Sequence, residues 1–279
     1  MKLAKVLAGG VLATGTLALA PAAAHASAAA PDGAKPAMVS VLHGVPGVTV
    51  DVYANGKELL PNFAPGTLTD PVSLPAGSYD LKVVAPGAGA DGKAVIEAND
   101  VAVPAGANIT VVAHLDADGK PTLTPFVNDT SALAAGKARL TVRHTAAAPA
   151  VDVRANGTPA FKGLVNPKEA MADLAAGTVS ADVVLAGTST VAIGPADVPL
   201  KAGSNTIVYA WGSAADKNLK LAVQTIDGLG GMPGGVPAGN GGQAATDQGA
   251  SGAAIALGAG VAGGFALLAT RRRVKTERA

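Results

Sequence analysis

Cysteine is absent from the 279-residue chain, which excludes disulfide scaffolds, thiol catalysis, cysteine-ligated metal sites and lipidation of an N-terminal cysteine. Aromatic residues make up 3% of the sequence and charged residues 15%. A typical soluble domain carries about 25% charged residues, so a coiled coil and a basic nucleic-acid binder are both excluded. Gly (36) and Pro (19) are plentiful but follow no Gly-X-Y period, so the chain is not collagen-like. What remains is a chain of small apolar residues punctuated by turn formers.

The two ends read as an address. Lys2 and Lys5 precede an apolar stretch over residues 6–20, and Ala24-His25-Ala26 has the small-residue pattern of a cleavage site. Residues 1–26 are therefore expected to be a secretory signal peptide, with the mature chain starting near Ser27. Residues 253–270 carry no charge and are followed at once by Arg271-Arg272-Arg273-Val274-Lys275. An 18-residue helix rises about 27 Å, close to the thickness of a hydrocarbon core. This predicts one C-terminal transmembrane helix, a basic cytoplasmic tail over residues 271–279 and an outward-facing N-terminal region. No Leu-Pro-x-Thr-Gly motif precedes the span, which favours a simple membrane anchor over sortase attachment to the cell wall. Gly-rich residues 229–252 read as a flexible linker between that helix and the rest. Once the two ends are set aside, residues 27–270 hold 14 basic and 19 acidic residues, about −5. An acidic ectodomain is a poor partner for nucleic acid.

The middle of the chain is written twice. Val50-Asp51-Val52-Tyr53-Ala54-Asn55-Gly56 recurs as Val151-Asp152-Val153-Arg154-Ala155-Asn156-Gly157, and His43 recurs as His144. Leu74-Pro75-Ala76-Gly77-Ser78 returns as Leu174-Ala175-Ala176-Gly177-Thr178, and Ala105-Gly106-Ala107-Asn108 as Ala202-Gly203-Ser204-Asn205. Four blocks in one order predict two homologous domains, near residues 37–130 and 138–228. Valines alternate with Thr49 and Asp51, the period-two pattern of a half-buried strand, and Asn-Gly pairs mark tight hairpin turns. About seven short strands per repeat predict an all-β chain of two tandem immunoglobulin-like antiparallel β-sandwich domains.

The run from His43 through Val50-Asp51-Val52, Asn55-Gly56 and Leu74-Pro75-Ala76-Gly77-Ser78-Tyr79 resembles the secreted bacterial domain-of-unknown-function family 4397. His144 through Val151-Asp152-Val153 resembles it a second time, which implies two tandem copies. Both copies lack the family's Ser-Pro-Asp, so no role of that aspartate carries over. The resemblance implies an extracytoplasmic β-domain with no activity attached, and the layout is similar to actinobacterial surface proteins.

Candidate chemistry is thin. His43 with Asp51, and His144 with Asp152, are the ionisable pair present in both repeats. A His–carboxylate hydrogen bond across neighbouring strands would make a dyad able to activate a nucleophile. No Gly-x-Ser-x-Gly elbow accompanies it and no serine recurs beside it, so the pair is expected to be structural, pinning the turn between the first two strands. After signal cleavage His43, His114 and His144 remain, none at metal-ligand spacing, and Asp116-Ala117-Asp118-Gly119 lacks the acidic twelfth position of a calcium loop. No catalytic residue, metal or cofactor is therefore expected. Tyr209 and Trp211 share a strand face with Ile207 and could offer a stacking platform to a sugar or a protein, or else fill the core or the interdomain seam. The expectation is a membrane-anchored extracellular module for binding, adhesion or structure, not an enzyme, with an envelope protein or glycan as partner. The alternative is an envelope-directed hydrolase using the His/Asp pairs.

Overall fold

The computed structural model describes residues 34–231. The expected signal peptide, transmembrane helix and basic tail, and most of the expected linker, lie outside these residues. Among the described residues, no helix is long and apolar enough to cross a membrane. The described residues hold sixteen strands and no helix.

The first repeat contributes β1 (Ala37–His43), β2 (Val50–Ala54), β3 (Lys57–Phe63), β4 (Val72–Leu74), β5 (Gly77–Val84), β6 (Ala94–Val103), β7 (Asn108–Leu115) and β8 (Pro121–Val127). The second contributes β9 (Lys137–Ala147), β10 (Val151–Ala155), β11 (Thr158–Leu164), β12 (Glu169–Ala175), β13 (Gly177–Leu185), β14 (Val191–Leu200), β15 (Asn205–Ser213) and β16 (Lys220–Ile226). The first eight form sheets ordered β4-β1-β7-β8 and β3-β2-β5-β6, and the second eight form β12-β9-β15-β16 and β11-β10-β13-β14. Strand for strand, the two units have one topology.

Two details depart from the immunoglobulin-like expectation. Each unit has eight strands, and each contains a parallel pair, β1 with β7 and β9 with β15. The first strand lies between the fourth and the seventh, whereas the immunoglobulin order sets it beside the second. The strand added to the expected seven has little valine alternation to announce it: β4, in the first unit, is three residues long.

Local chemistry explains the hairpins. Asn55 and Gly56 both have positive φ (50° and 74°), as do Asn156 and Gly157 (51° and 76°), which matches the twist of a two-residue turn between β2–β3 and β10–β11. Asn55 Oδ1 then accepts the amide of Asp80 at 2.8 Å, and Asn156 Oδ1 that of Ser180 at 3.0 Å, fastening each turn to the next strand.

Side-chain alternation assigns the layers. Val39, Val111 and Ile109 face the interior of the first unit, packed against Leu81, Val101 and Val103. Leu140, Val142 and Val208 do the same in the second unit against Val153, Val183 and Val198. The opposite faces of β1, β7 and β15 are also covered. Leu42, Val112, Phe126, Ile207 and Tyr209 form one cluster that joins the two units. The β4-β1-β7-β8 and β12-β9-β15-β16 sheets therefore pack on each other, and β15 is buried along its whole length. Burial on both faces requires near-continuous apolar sequence, which β7 and β15 possess.

Candidate functional site

The repeated histidines sit where β1 and β9 end. Nε2 of His43 donates to the Val48 carbonyl at 2.9 Å, and its Nδ1 accepts the Val45 amide at 3.3 Å. Nε2 of His144 reaches the Pro149 carbonyl at 3.0 Å, and its Nδ1 accepts the Ala146 amide at 3.4 Å. Each ring ties its own strand to the turn that follows. Accepting at Nδ1 and donating at Nε2 fixes the neutral tautomer, and burial lowers both pKa values below the ordinary 6.5. His114 is also lowered by burial, with Nδ1 on the Leu115 carbonyl at 2.8 Å and Nε2 on Thr124 Oγ1 at 2.9 Å.

The repeated aspartates do a different job. Asp51 accepts the amides of Asn62 and Gly87, both at 2.7 Å. Asp152 accepts those of Gly163 at 2.7 Å and Gly187 at 3.0 Å. Asn62 (φ 49°) and Gly163 (φ 64°) are left-handed residues in β3 and β11, where the pairing with β2 and β10 slips register. The amides of Gly187 and Gly163 hold the Asp152 carboxyl below its usual range. No hydrogen bond joins a histidine to its aspartate: the structure brings each to backbone, not to its partner. The geometry of a nucleophile-activating dyad is not formed. Asp116 Oδ1 accepts the amides of Asp118 (2.9 Å) and Lys120 (2.8 Å), a side-chain-capped hairpin turn. Among the described residues no group of three or more His, Asp or Glu side chains is placed to hold a metal.

Tyr209 is fully buried and Trp211 is 4% exposed, so neither offers a face to an outside ligand. Both lie in the seam between the units. A β-carbon built on Gly66 would stand 3.0 Å from Trp211 Cζ2, and one on Gly44 3.2 Å from Trp211 Cβ, so the indole rests on bare backbone of the first unit. In return, Asn166 Nδ2 donates to the Leu115 carbonyl of the first unit at 2.8 Å and to the Ala146 carbonyl of its own at 2.7 Å.

Tyr209 anchors a polar chain that sequence reasoning did not find. Its hydroxyl accepts from Arg143 Nη1 at 2.7 Å and donates to Gln224 Oε1 at 2.6 Å. Thr110 of the first unit donates to the same Gln224 oxygen at 2.8 Å. Arg143 also donates Nε to Glu169 at 2.8 Å, and its guanidinium lies 4.4 Å from the Phe126 ring centre. Burial raises the Tyr209 pKa, against the nearby Arg143 charge. Arg139, Thr141 and Arg143 alternate with apolar residues along β9, a pattern that reads as a solvated face. The available clue was comparison with Met38, Ser40 and Leu42 at the same places in β1. The interior voids of the two sandwiches, about 40 and 30 Å³, are far below the several hundred Å³ of a small-molecule site.

No curated protein matches the chain. A solved structure of a candidate cell adhesion protein from Bacteroides uniformis aligns with 11% identity over 70% of this chain and 98% of its own, at a TM-score of 0.18, a likeness too slight to carry fold or function. The model of the DUF4397 family, described as a domain of unknown function, matches residues 37–154, all of the first unit and the start of the second. Over residues 37–154 the chain is similar to the DUF4397 family, the resemblance that its sequence carries.

Proposed function

We propose that the chain is a non-catalytic surface module of the cell envelope, built from two DUF4397-type sandwiches and held to the membrane by residues 253–270. The observation that supports this reading is the use of the repeated ionisable groups. His43, His144, Asp51 and Asp152 are all committed to backbone partners of their own unit, at matching places in both copies. Groups held in that way are fastenings. A face-to-face seam turns the two sandwiches into one stiff body suited to spacing or binding outside the membrane, where an envelope protein or glycan is the partner.

Incubating the purified full chain with isolated envelope fractions tests the reading. Sedimentation with the envelope and unchanged envelope material are expected, together with a mature N-terminus near Ser27. Turnover of envelope material that His144→Ala abolishes would overturn it in favour of the hydrolase.

A further inference from the structure

Among the described residues, each of the four sheets ends in two strands with one unpaired side. Such an edge is a template for a further strand, and proteins guard it with proline, bulges, charge or brevity. β4 is only three residues long. β3, β6, β11 and β14 each slip register against the neighbouring strand, and β3, β11 and β14 also carry proline. β8 carries Pro121 and Pro125, and β12 carries Glu169 and Asp173. β16 has neither proline nor register slip, and residues 221–226 are uncharged.

The duplication shows what sets β16 apart. The Asn128 amide donates to the Asn108 carbonyl at 2.7 Å, so by antiparallel alternation Thr122, Thr124 and Phe126 of β8 bond to β7. Pro121, Leu123, Pro125 and Val127 point their backbone outward, and two of these four have no amide to offer. In the second unit the Asn218 amide donates to the Ser213 carbonyl at 3.2 Å, so Lys220, Ala222, Gln224 and Ile226 bond to β15. Leu221, Val223 and Thr225 then point outward with every amide and carbonyl free of a backbone partner among the described residues. Strand register makes Val223 the counterpart of Pro125, and Val223 is 52% exposed.

From this we infer that β16 pairs edge to edge and antiparallel with β16 of a second copy of this chain, about a two-fold axis at Val223. The other edges are guarded, so a second copy can offer only the same strand, and like-with-like pairing closes at a dimer. Lys220 precedes the uncharged run and Asp227 follows it. The antiparallel sense brings unlike charges together at each end of the new pair, where the parallel sense would bring like ones. Asp227 is engaged only by an exposed pair with Lys201 at 3.0 Å, which does not close the edge. The two Val223 side chains would cover each other at the centre. The inference goes beyond the surface-module reading and does not depend on an envelope partner.

The test uses the full chain in detergent micelles, followed by light scattering across concentration. A dimer with a Kd on the order of 10 μM is expected, since one strand pair buries a small interface. Val223→Pro, which copies Pro125 of the equivalent strand, and Val223→Lys should each weaken it at least tenfold with an unchanged circular dichroism spectrum. The chain has no cysteine, so single cysteines read the register. Val223→Cys should give a disulfide-linked dimer on mild oxidation, because opposed hydrogen-bonded residues stand about 5.5 Å apart at Cα, within disulfide reach. Thr225→Cys would face Leu221, about 14 Å along the strand from its own copy, and should link at least tenfold less. Dimers that survive both Val223→Pro and Val223→Lys form elsewhere, through residues 253–270 for instance, and would overturn the proposal. Equal linking by both cysteines would overturn it as well. A chain still monomeric tenfold above the expected Kd would leave the edge to a strand of another protein and overturn the self-pairing.

Discussion

The two sandwiches share one eight-strand topology and differ most where they touch. Inside each unit the fastenings repeat: a histidine on the first turn, an aspartate on the left-handed residue of the third strand, an Asn-Gly hairpin. On the seam, equivalent places have diverged into complements. Leu42 faces the seam where its counterpart is Arg143, Val112 where it is Tyr209, Phe126 where it is Gln224, and His114 where it is Trp211. The first unit supplies an apolar surface and the second a hydrogen-bonded one, joined by Thr110 and by Arg143 over Phe126. Folding instructions stayed constant in both copies while mating instructions became specific to each.

Breaking the seam should have the largest effect. Arg143→Ala removes a buried guanidinium and leaves Glu169 and Tyr209 without it, for an expected loss of about 3 kcal/mol. Leu42→Ala, at the equivalent place, is expected to lose a similar amount by cavity formation alone, about 3 kcal/mol. Urea denaturation of both variants checks the pair. A loss under about 1 kcal/mol for Arg143→Ala would mean the seam is loosely packed.

Gly66→Ala probes the seam from the first unit. The site has φ +82° and its new methyl would press on Trp211, so a loss of about 2 kcal/mol is expected from strain and crowding together. Gly56→Ala at a similar φ of +74° meets nothing within 4 Å and should lose only the conformational part, about 1 kcal/mol. Equal losses would show that the indole does not rest on Gly66.

Acid should loosen both units, the first through two histidines and the second through one. His43, His114 and His144 are held neutral, with pKa values below 6.5, while the unfolded chain takes up protons near 6.5. The unfolded state therefore binds more protons below that pH. Stability is complete above it and falls as pH drops through it, by at most about 1.4 kcal/mol per pH unit for each histidine. The lowered carboxyl of Asp152 has the same sign but acts only below about 3.8. Thermal melts at pH 7.5 and pH 5 should differ by several degrees, and the double variant His43→Gln/His144→Gln should show a shallower dependence. An unchanged melt would remove the buried, neutral assignment.

How far the fold was legible follows from which forces act locally. Period-two valines gave β2 and β5, and Asn-Gly gave the hairpin turns, because alternation and positive φ are written in adjacent residues. The duplication was readable for the same reason. The parallel pairing of β1 with β7 was not, since it joins residues some seventy apart and leaves no adjacent signal. Trp211 and Tyr209 were visible as an unusual face, but whether that face meets ligand, core or another sheet depends on a surface elsewhere in the chain. His43 and Asp51 were found as a repeated pair, yet their separate partners lie on backbone amides and carbonyls, which sequence does not distinguish.

The central claim is that the seam makes the two sandwiches one cooperative body. Trp211 is the one tryptophan of the chain, and it sits in that seam. Urea unfolding followed at once by tryptophan emission and by far-ultraviolet circular dichroism reads the seam and the strands separately. Coincident midpoints are expected, with a blue-shifted emission maximum before the transition. A red shift of the emission that precedes loss of the β signal would show sandwiches that part before they unfold, and would contradict the account.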